Sequence, residues 1–205
     1  MAEVSARRLV VATGNAGKLR ELQALLEGLG FELVGQDALG VASIEETGST
    51  FLENALLKAH HAAAATGCAV LADDSGLEVD ALGGAPGVLS ARFAGASADD
   101  AANNRKLLEA LVDVAPAARG ARYRCVLVYL EGPADREPLV AEGVWEGQIA
   151  ATPRGAGGFG YDPYFLVPEE GCTAAELAPS IKNQLSHRGK ALADLRRALA
   201  ARRSS

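Results

Sequence analysis

Cysteine, histidine and aromatic residues are scarce in this 205-residue chain, and no apolar run is long. The three cysteines, Cys68, Cys125 and Cys172, are an odd set without a C-x-x-C spacing. That argues against a disulfide framework or a zinc knuckle and for a reducing compartment. The three histidines, His60, His61 and His187, include no H-E-x-x-H pattern, so a His-rich transition-metal site is not expected. No stretch approaches the ~20 apolar residues of a membrane span. The run from Leu9 to Ala12 is too short for a signal-peptide core, and the expected address is the cytoplasm. Basic residues are the minority, 20 against 26 acidic, for a net charge of −6. This balance gives no electrostatic footing for duplex DNA or a membrane surface. Against RNA stands the lack of aromatics interleaved with basic residues. Arg196, Arg197, Arg202 and Arg203 read either as a small basic patch or as solvated cations favourable at a helix C-terminus.

What is present is an ordinary globular composition, 49% hydrophobic and 22% charged, which excludes a disordered chain. The length suits one domain, residues 1–205, with a sizeable core. Leu9 to Ala12 reads as a buried strand that stops at Thr13-Gly14-Asn15. From Gly17, Leu19, Leu22, Leu25, Leu26 and Leu29 fall at helical spacing, and Gly30 suits the stop. Thr50 and Glu53 form a capping box that predicts a helix to about Ala65. Ala69 to Ala72 predicts a second short strand, ending at Asp73-Asp74-Ser75-Gly76. A helix is expected over 100–112. Tyr123 to Leu130 and Val140 to Trp145 flank the turn signal Glu131-Gly132-Pro133 and predict paired antiparallel strands. Ser186 suits the cap of a last helix whose inner stripe is Leu192, Leu195 and Leu199. Strands that both alternate with helices and pair as hairpins imply an α/β fold with a mixed sheet.

Five segments offer chemistry. Thr13-Gly14-Asn15-Ala16-Gly17-Lys18 joins a strand to a helix, the arrangement of a phosphate cradle, where backbone N–H groups, glycines and a lysine meet an anion. It is not a Walker A loop, because Leu19 follows Lys18; an ordinary turn with an exposed lysine is the alternative. Asp73-Asp74-Ser75-Gly76 suits Mg²⁺, a hard ion that prefers oxygen, or else is a solvated acidic turn. Glu45 or Glu46 would complete such a metal site, or both lie in a solvated loop. Gly155 to Gly160 contains G-x-G-x-x-G, but Tyr161-Asp162-Pro163 cannot open a helix, which rejects a dinucleotide fingerprint. A flexible loop in which Phe159 stacks on a base and Asp162 supports it is the better reading, with a turn burying Phe159 as the alternative. Ser186-His187-Arg188-Gly189-Lys190 brings donors for a base edge or a phosphate, or a capped helix start with solvated cations.

Taken in order, these blocks extend to Glu46-Thr47-Gly48-Ser49-Thr50-Phe51-Leu52-Glu53-Asn54-Ala55 with Lys58, and to Leu82-Gly83-Gly84-Ala85-Pro86-Gly87-Val88 with Ser90-Ala91-Arg92. Together they resemble the inosine/xanthosine triphosphate pyrophosphatase family over nearly the whole chain, from about Arg8 to Arg197. The resemblance implies a single elongated α/β domain with a long mixed sheet flanked by helices, a central nucleotide-binding cleft, and a homodimer. It implies Mg²⁺-dependent hydrolysis of dITP, ITP, dXTP or XTP to the monophosphate and pyrophosphate, which cleanses the nucleotide pool. Carried over, Thr13, Gly14, Asn15, Ala16, Gly17 and Lys18 hold the triphosphate. Asp74 is the general base and a metal ligand, and Glu46 is the second ligand. Ser75 touches the nucleotide, and Phe159, Gly160, Tyr161, Asp162, Lys182, His187 and Arg188 enclose base, sugar and phosphate.

The chemistry is coherent from below. Cleavage between the α- and β-phosphates needs a positioned water and charge neutralisation on the leaving pyrophosphate. A carboxylate near a metal ion can orient and deprotonate that water, so no covalent nucleophile is required. Donors from His187 and Arg188 suit the 6-oxo group of hypoxanthine and xanthine and mismatch the 6-amino group of adenine. The rival expectations are a Maf-type pyrophosphatase acting on other modified nucleotides, and a non-catalytic nucleotide- or RNA-binding protein.

Overall fold

Leu9, Val10, Val11 and Ala12 are buried at the centre of a parallel sheet, and a strand covered on both faces is apolar at every position. In the computed structural model, residues 7–28 and 30–203 are described, without the side chain of Arg203. The N-terminal residues before Arg7, Leu29 of the predicted helical stripe, and the Arg203 side chain of the predicted basic patch lie outside the described residues.

The strands are β1 (Arg7–Ala12), β2 (Phe31–Gly35), β3 (Ala69–Val79), β4 (Gly120–Leu130), β5 (Leu139–Ile149), β6 (Phe165–Val167) and β7 (Cys172–Thr173). The helices are α1 (Ala16–Leu26), α2 (Phe51–Thr66), α3 (Asp100–Ala110), α4 (Pro179–Leu185) and α5 (His187–Arg203). The strands form one sheet in the order β2-β1-β3-β4-β5-β6-β7. β1 pairs in parallel with both β2 and β3, while β5–β6 and β6–β7 are antiparallel, so the sheet is mixed as expected.

The chain divides into two compact units. One runs to Asp74 and takes in Val126–Glu142 and the chain from Ala191; the other comprises Ser75–Cys125 and Gly143–Lys190. In the first unit, β1-α1-β2 and β2-α2-β3 are crossover connections that move in opposite directions from β2-β1 to β3. Right-handed crossovers then place α1 and α2 on opposite faces of the sheet. The core of the second unit gathers Leu77, Val79, Leu107, Leu111, Tyr123 and Trp145, among others. Tyr123, Trp145 and Phe165 form an aromatic cluster, with ring centroids 4.5 Å apart for Tyr123–Phe165 and 5.1 Å for Trp145–Phe165.

Several expectations need correction. β3 does not stop at Ala72 but continues through Asp73-Asp74-Ser75-Gly76 to Val79. The acidic pair reads as a turn because carboxylates are seldom buried; here each meets a lysine, and Leu77 and Val79 carry the strand on into the second core. Helix α1 ends at Leu26, before the expected stop at Gly30. β4 and β5 are longer than predicted and are hydrogen-bonded neighbours. β2, β6, β7 and α4 were not anticipated; all are short and lack a sustained period.

Candidate active site

The loop after β1 is built by its own side chains. Thr13 Oγ1 accepts the Asn15 N–H at 3.1 Å, and Asn15 Oδ1 caps α1 by accepting from Gly17 N (2.8 Å) and Lys18 N (3.0 Å). Asn15 takes the cap because its short amide reaches the unpaired N–H groups of the first turn. Gly14 lies close to the chain opposite, where an added Cβ would sit 3.0 Å from Ser43 Oγ. Ala16 is exposed and Gly17 is buried. Lys18 then projects from the first turn to Asp73, with Nζ 2.7 Å from Oδ1.

Ala12, the last residue of β1, pairs with Ala72, so Asp73 and Asp74 stand immediately beyond the carboxyl end of β1. Between β1 and β3 the connections leave the sheet in opposite directions, the kind of position where open α/β sheets bind ligands. Successive residues of a strand face opposite ways, so Asp73 meets Lys18 of α1 while Asp74 meets Lys58 of α2. Lys58 Nζ bridges two carboxylates, 2.8 Å from Asp74 Oδ1 and 2.7 Å from Glu46 Oε1. Asn54, fully buried one turn before Lys58, has Nδ2 3.4 Å from Asp74 Oδ2 and accepts the Gly48 N–H at 2.7 Å. The helix that carries Asn54 and Lys58 starts at the predicted capping box: Thr50 Oγ1 accepts from Glu53 N, and Glu53 reaches back to Thr50 N.

Burial pushes the Asp74 carboxyl above its ordinary value; Lys58 and Lys18 oppose the shift and Glu46 adds to it. Burial also works against the charge on Lys58, yet the Asp74 and Glu46 carboxylates together raise its pKa. Of the two glutamates left open by the sequence, Glu46 joins this cluster and Glu45 is exposed. Among the described residues no group of three or more His, Cys, Asp or Glu side chains is arranged to hold a metal ion. Two carboxylates converging on one cationic centre nevertheless fit Mg²⁺, a hard ion bound by one or two carboxylates together with phosphates and water.

The second unit assembles the remaining predicted residues. Asp162, buried, is the hub of the glycine-rich loop: Oδ2 accepts from Phe159 N at 2.9 Å and from Lys182 Nζ at 2.6 Å, and Oδ1 accepts from Tyr123 OH at 3.3 Å. The loop is therefore a hydrogen-bonded turn in place of the flexible segment expected. Phe159 is only partly buried, with Lys182 Nζ 5.2 Å from its ring centroid, a cation–π contact. Tyr161 faces inward: its ring joins the core and its OH donates to Ser90 O at 2.8 Å. Burial, reinforced by the Asp100 carboxylate, raises its phenol well above the usual range. Gly160 has a φ of +63°, a conformation open to glycine.

His187 stacks on Tyr123, with centroids 4.7 Å apart and planes inclined by 12°. Arg188, 1% exposed, donates to Ser75 Oγ at 2.8 Å. Ser186 Oγ accepts the Gly189 N–H, so the predicted cap of α5 is present, with Leu192 and Leu195 buried and Leu199 partly so. Sequence reasoning assigned no role to Lys58, Asn54 or Tyr123. For the first two the signal was present, since Asn54 and Lys58 are four apart on one helix face; for Tyr123 only the fold supplies it.

Carboxylates, lysines and a helix N-terminus gathered at the carboxyl end of β1, beside the middle of β3, mark a site of concentrated charge in an α/β protein. Comparison with known proteins specifies which. Residues 9–198 match the Ham1 family (Ham1p_like), and the chain belongs to that family. A Methylococcus capsulatus protein named dITP/XTP pyrophosphatase is 59% identical over 189 residues, covering 92% of this chain and 94% of that one. Among solved structures, a HAM1 protein from Coxiella burnetii superposes with a TM-score of 0.86 at 50% identity, covering 95% of this chain and 99% of the other. The Staphylococcus aureus Ham1 protein gives 0.83 at 41% identity, covering 96% and 100%. Among the described residues, no helix is long and apolar enough to cross a membrane.

Proposed function

We propose that this chain hydrolyses deaminated purine nucleoside triphosphates, dITP or ITP and dXTP or XTP, to the monophosphate and pyrophosphate. The reaction uses Mg²⁺, and the chain acts as a single catalytic domain, residues 1–205, in a cytoplasmic homodimer. The name of the Methylococcus capsulatus relative supports the substrate class. The observation that carries the chemistry is the part-buried Lys58 ammonium held between Glu46 and Asp74, beside the Lys18–Asp73 pair.

Glu46 and Asp74 are the residues to hold Mg²⁺. When bound, the ion supplies charge neutralisation to the phosphates. The N–H groups at the start of α1 and the Lys18 ammonium receive the triphosphate, a role suited to a helix N-terminus with an adjacent cation. Asp74 orients a water at the α-phosphorus and accepts its proton. Lys58 keeps that carboxylate in place. Phe159 stacks on the purine, while His187 and Arg188 present donors to its 6-oxo group, which leaves adenine's amino group facing another donor. Ser75, Gly160, Tyr161, Asp162 and Lys182 complete the nucleotide contacts.

The test is a panel of dITP, XTP, ATP, GTP, dTTP and UTP, with Mg²⁺ and with EDTA, scoring pyrophosphate separately from orthophosphate. The expected outcome is metal-dependent pyrophosphate release from dITP and XTP. Release confined to a pyrimidine nucleotide supports the Maf-type reading instead. Orthophosphate as the product overturns the mechanism, and no hydrolysis by folded protein leaves a binding role.

A further inference from the structure

Gly160 is clamped by a helix that the proposed chemistry does not use. Its N–H donates to Asp100 Oδ2 at 2.6 Å, and its carbonyl accepts from Asn104 Nδ2 at 2.8 Å. Asp100 opens α3 and Asn104 stands one turn on, on the same face. The N-cap of α3 is supplied by Asp99, whose Oδ1 accepts from Ala102 N at 2.7 Å, so the Asp100 side chain is left for the loop.

Asn104 is unusual energetically. Nδ2 donates to two carbonyls, those of Asp100 and Gly160, which settles the orientation of the amide. Oδ1 is then buried without a hydrogen-bond partner. A buried polar atom left unpaired costs about 1–3 kcal/mol. An aliphatic side chain avoids that penalty, so asparagine here is useful for its donor to Gly160 and not for packing.

Bonds to both the N–H and the carbonyl of one residue fix the peptide planes on either side of it. Phe159 precedes Gly160 and Tyr161 follows it. Tyr161 is anchored in the core and to Ser90, and the Phe159 N–H is held by Asp162. The partly exposed Phe159 ring is thus presented by hydrogen bonds on its backbone.

We propose that Asp100 and Asn104 are positioning residues for the purine. They hold Gly160 so that Phe159 is set before the nucleotide arrives, which lowers the ordering cost of binding. This rests on the reading of Phe159 as the platform for the base. Both residues belong to the unit that does not carry the carboxylate–lysine cluster, so their effect is expected to fall on KM and to leave kcat nearly unchanged.

The experiment is steady-state pyrophosphate release from dITP with Mg²⁺, together with thermal melting of each variant. Losing a charge-assisted hydrogen bond in Asp100→Ala is expected to raise KM about tenfold, and losing a neutral one in Asn104→Leu about threefold. In both, kcat stays within about twofold of wild type. Asp100→Asn, whose amide oxygen still accepts from Gly160, recovers most of the loss. Asn104→Leu also removes the unpaired oxygen, so its melting temperature is expected to hold or rise while KM worsens. A purely structural role moves the two together. Unchanged KM in Asp100→Ala and Asn104→Leu, or a fall in kcat alone, overturns the proposal; if Asp100→Ala fails to fold, Asn104→Leu decides. Phe159→Ala separates the two readings. If it raises KM while the α3 variants do not, only the clamp fails. If it leaves KM at the wild-type value, the base platform fails, and the clamp with it.

Discussion

Glu46, Asp73 and Asp74 each meet a lysine at 2.7–2.8 Å, whereas Phe159 and Gly160 are held by hydrogen bonds to their own backbone. The first cluster, in one unit, sets part-buried lysines against the buried Asp73 and Asp74 and the half-buried Glu46. The second, in the other unit, is an aromatic ring on a braced turn. The contrast matches what each is proposed to bind. A phosphate–metal centre needs fixed charges, because electrostatic stabilisation is strong only where water is displaced and the groups are preorganised. A base needs a flat face and a few donors, which a braced loop presents at lower desolvation cost.

The comparison is broken most severely at Asp74. Asp74→Asn is expected to reduce kcat on dITP by about 10²–10⁴-fold, the range for losing a general base, with the protein still folded. Wild-type-like turnover would remove Asp74 from the mechanism. Lys58→Met tests the ion pairs themselves. It removes the cation between Glu46 and Asp74 and leaves the buried Asp74 with only Lys18 opposing its charge; with Lys58 and Glu46 partly exposed, the expected loss is about 3 kcal/mol, the low end for breaking a buried pair. Urea unfolding measures that loss; a change under about 1 kcal/mol would mean that the lysine does not hold the cluster together.

In the second region, Arg188→Ala is expected to cut the preference for ITP over ATP, as a ratio of kcat/KM, by about 10- to 100-fold, the equivalent of one charged hydrogen bond. An unaltered ratio puts base recognition elsewhere. The smallest effect is expected at Asp135, which the proposed chemistry does not use. Burial pushes its carboxyl up, but the backbone N–H groups of Glu131 and Glu137, with Arg202, hold it below the ordinary aspartate value. A carboxyl lowered in the folded state stabilises fully above its unfolded pKa of about 3.9, and the benefit is lost as pH falls through the folded value. The wild type is therefore expected to lose melting temperature more steeply below about pH 4 than Asp135→Asn. Parallel melting curves for the two proteins refute this.

Much of the fold was legible because its signals are local. The capping box at Thr50 and Glu53, the leucine spacing of α1 and the apolar run of β1 each state their element within a few residues. β3 was misread at Asp73, because a carboxylate signals a turn until the lysines that bury it are known. Those lysines stand 55 residues before Asp73, at Lys18, and 16 before Asp74, at Lys58, separations across which no local pattern connects them. The site was legible to the same extent. The residue types and their order point to phosphate, metal and base, and the family resemblance to Glu46, but the pairing of Glu46 with Lys58 and the inward turn of Tyr161 came only with the fold.

The sequence by itself determined the α/β class, the helix caps, the strand cores and the set of residue types, since each depends on backbone propensity and near-neighbour spacing. The tertiary structure decided which lysine serves which carboxylate, how Asp162 organises its loop, and that α3 grips Gly160 through Asp100 and Asn104. Those pairings are contacts between segments far apart in the chain. Their energies depend on distance and burial, and both come into being only when the sheet has formed.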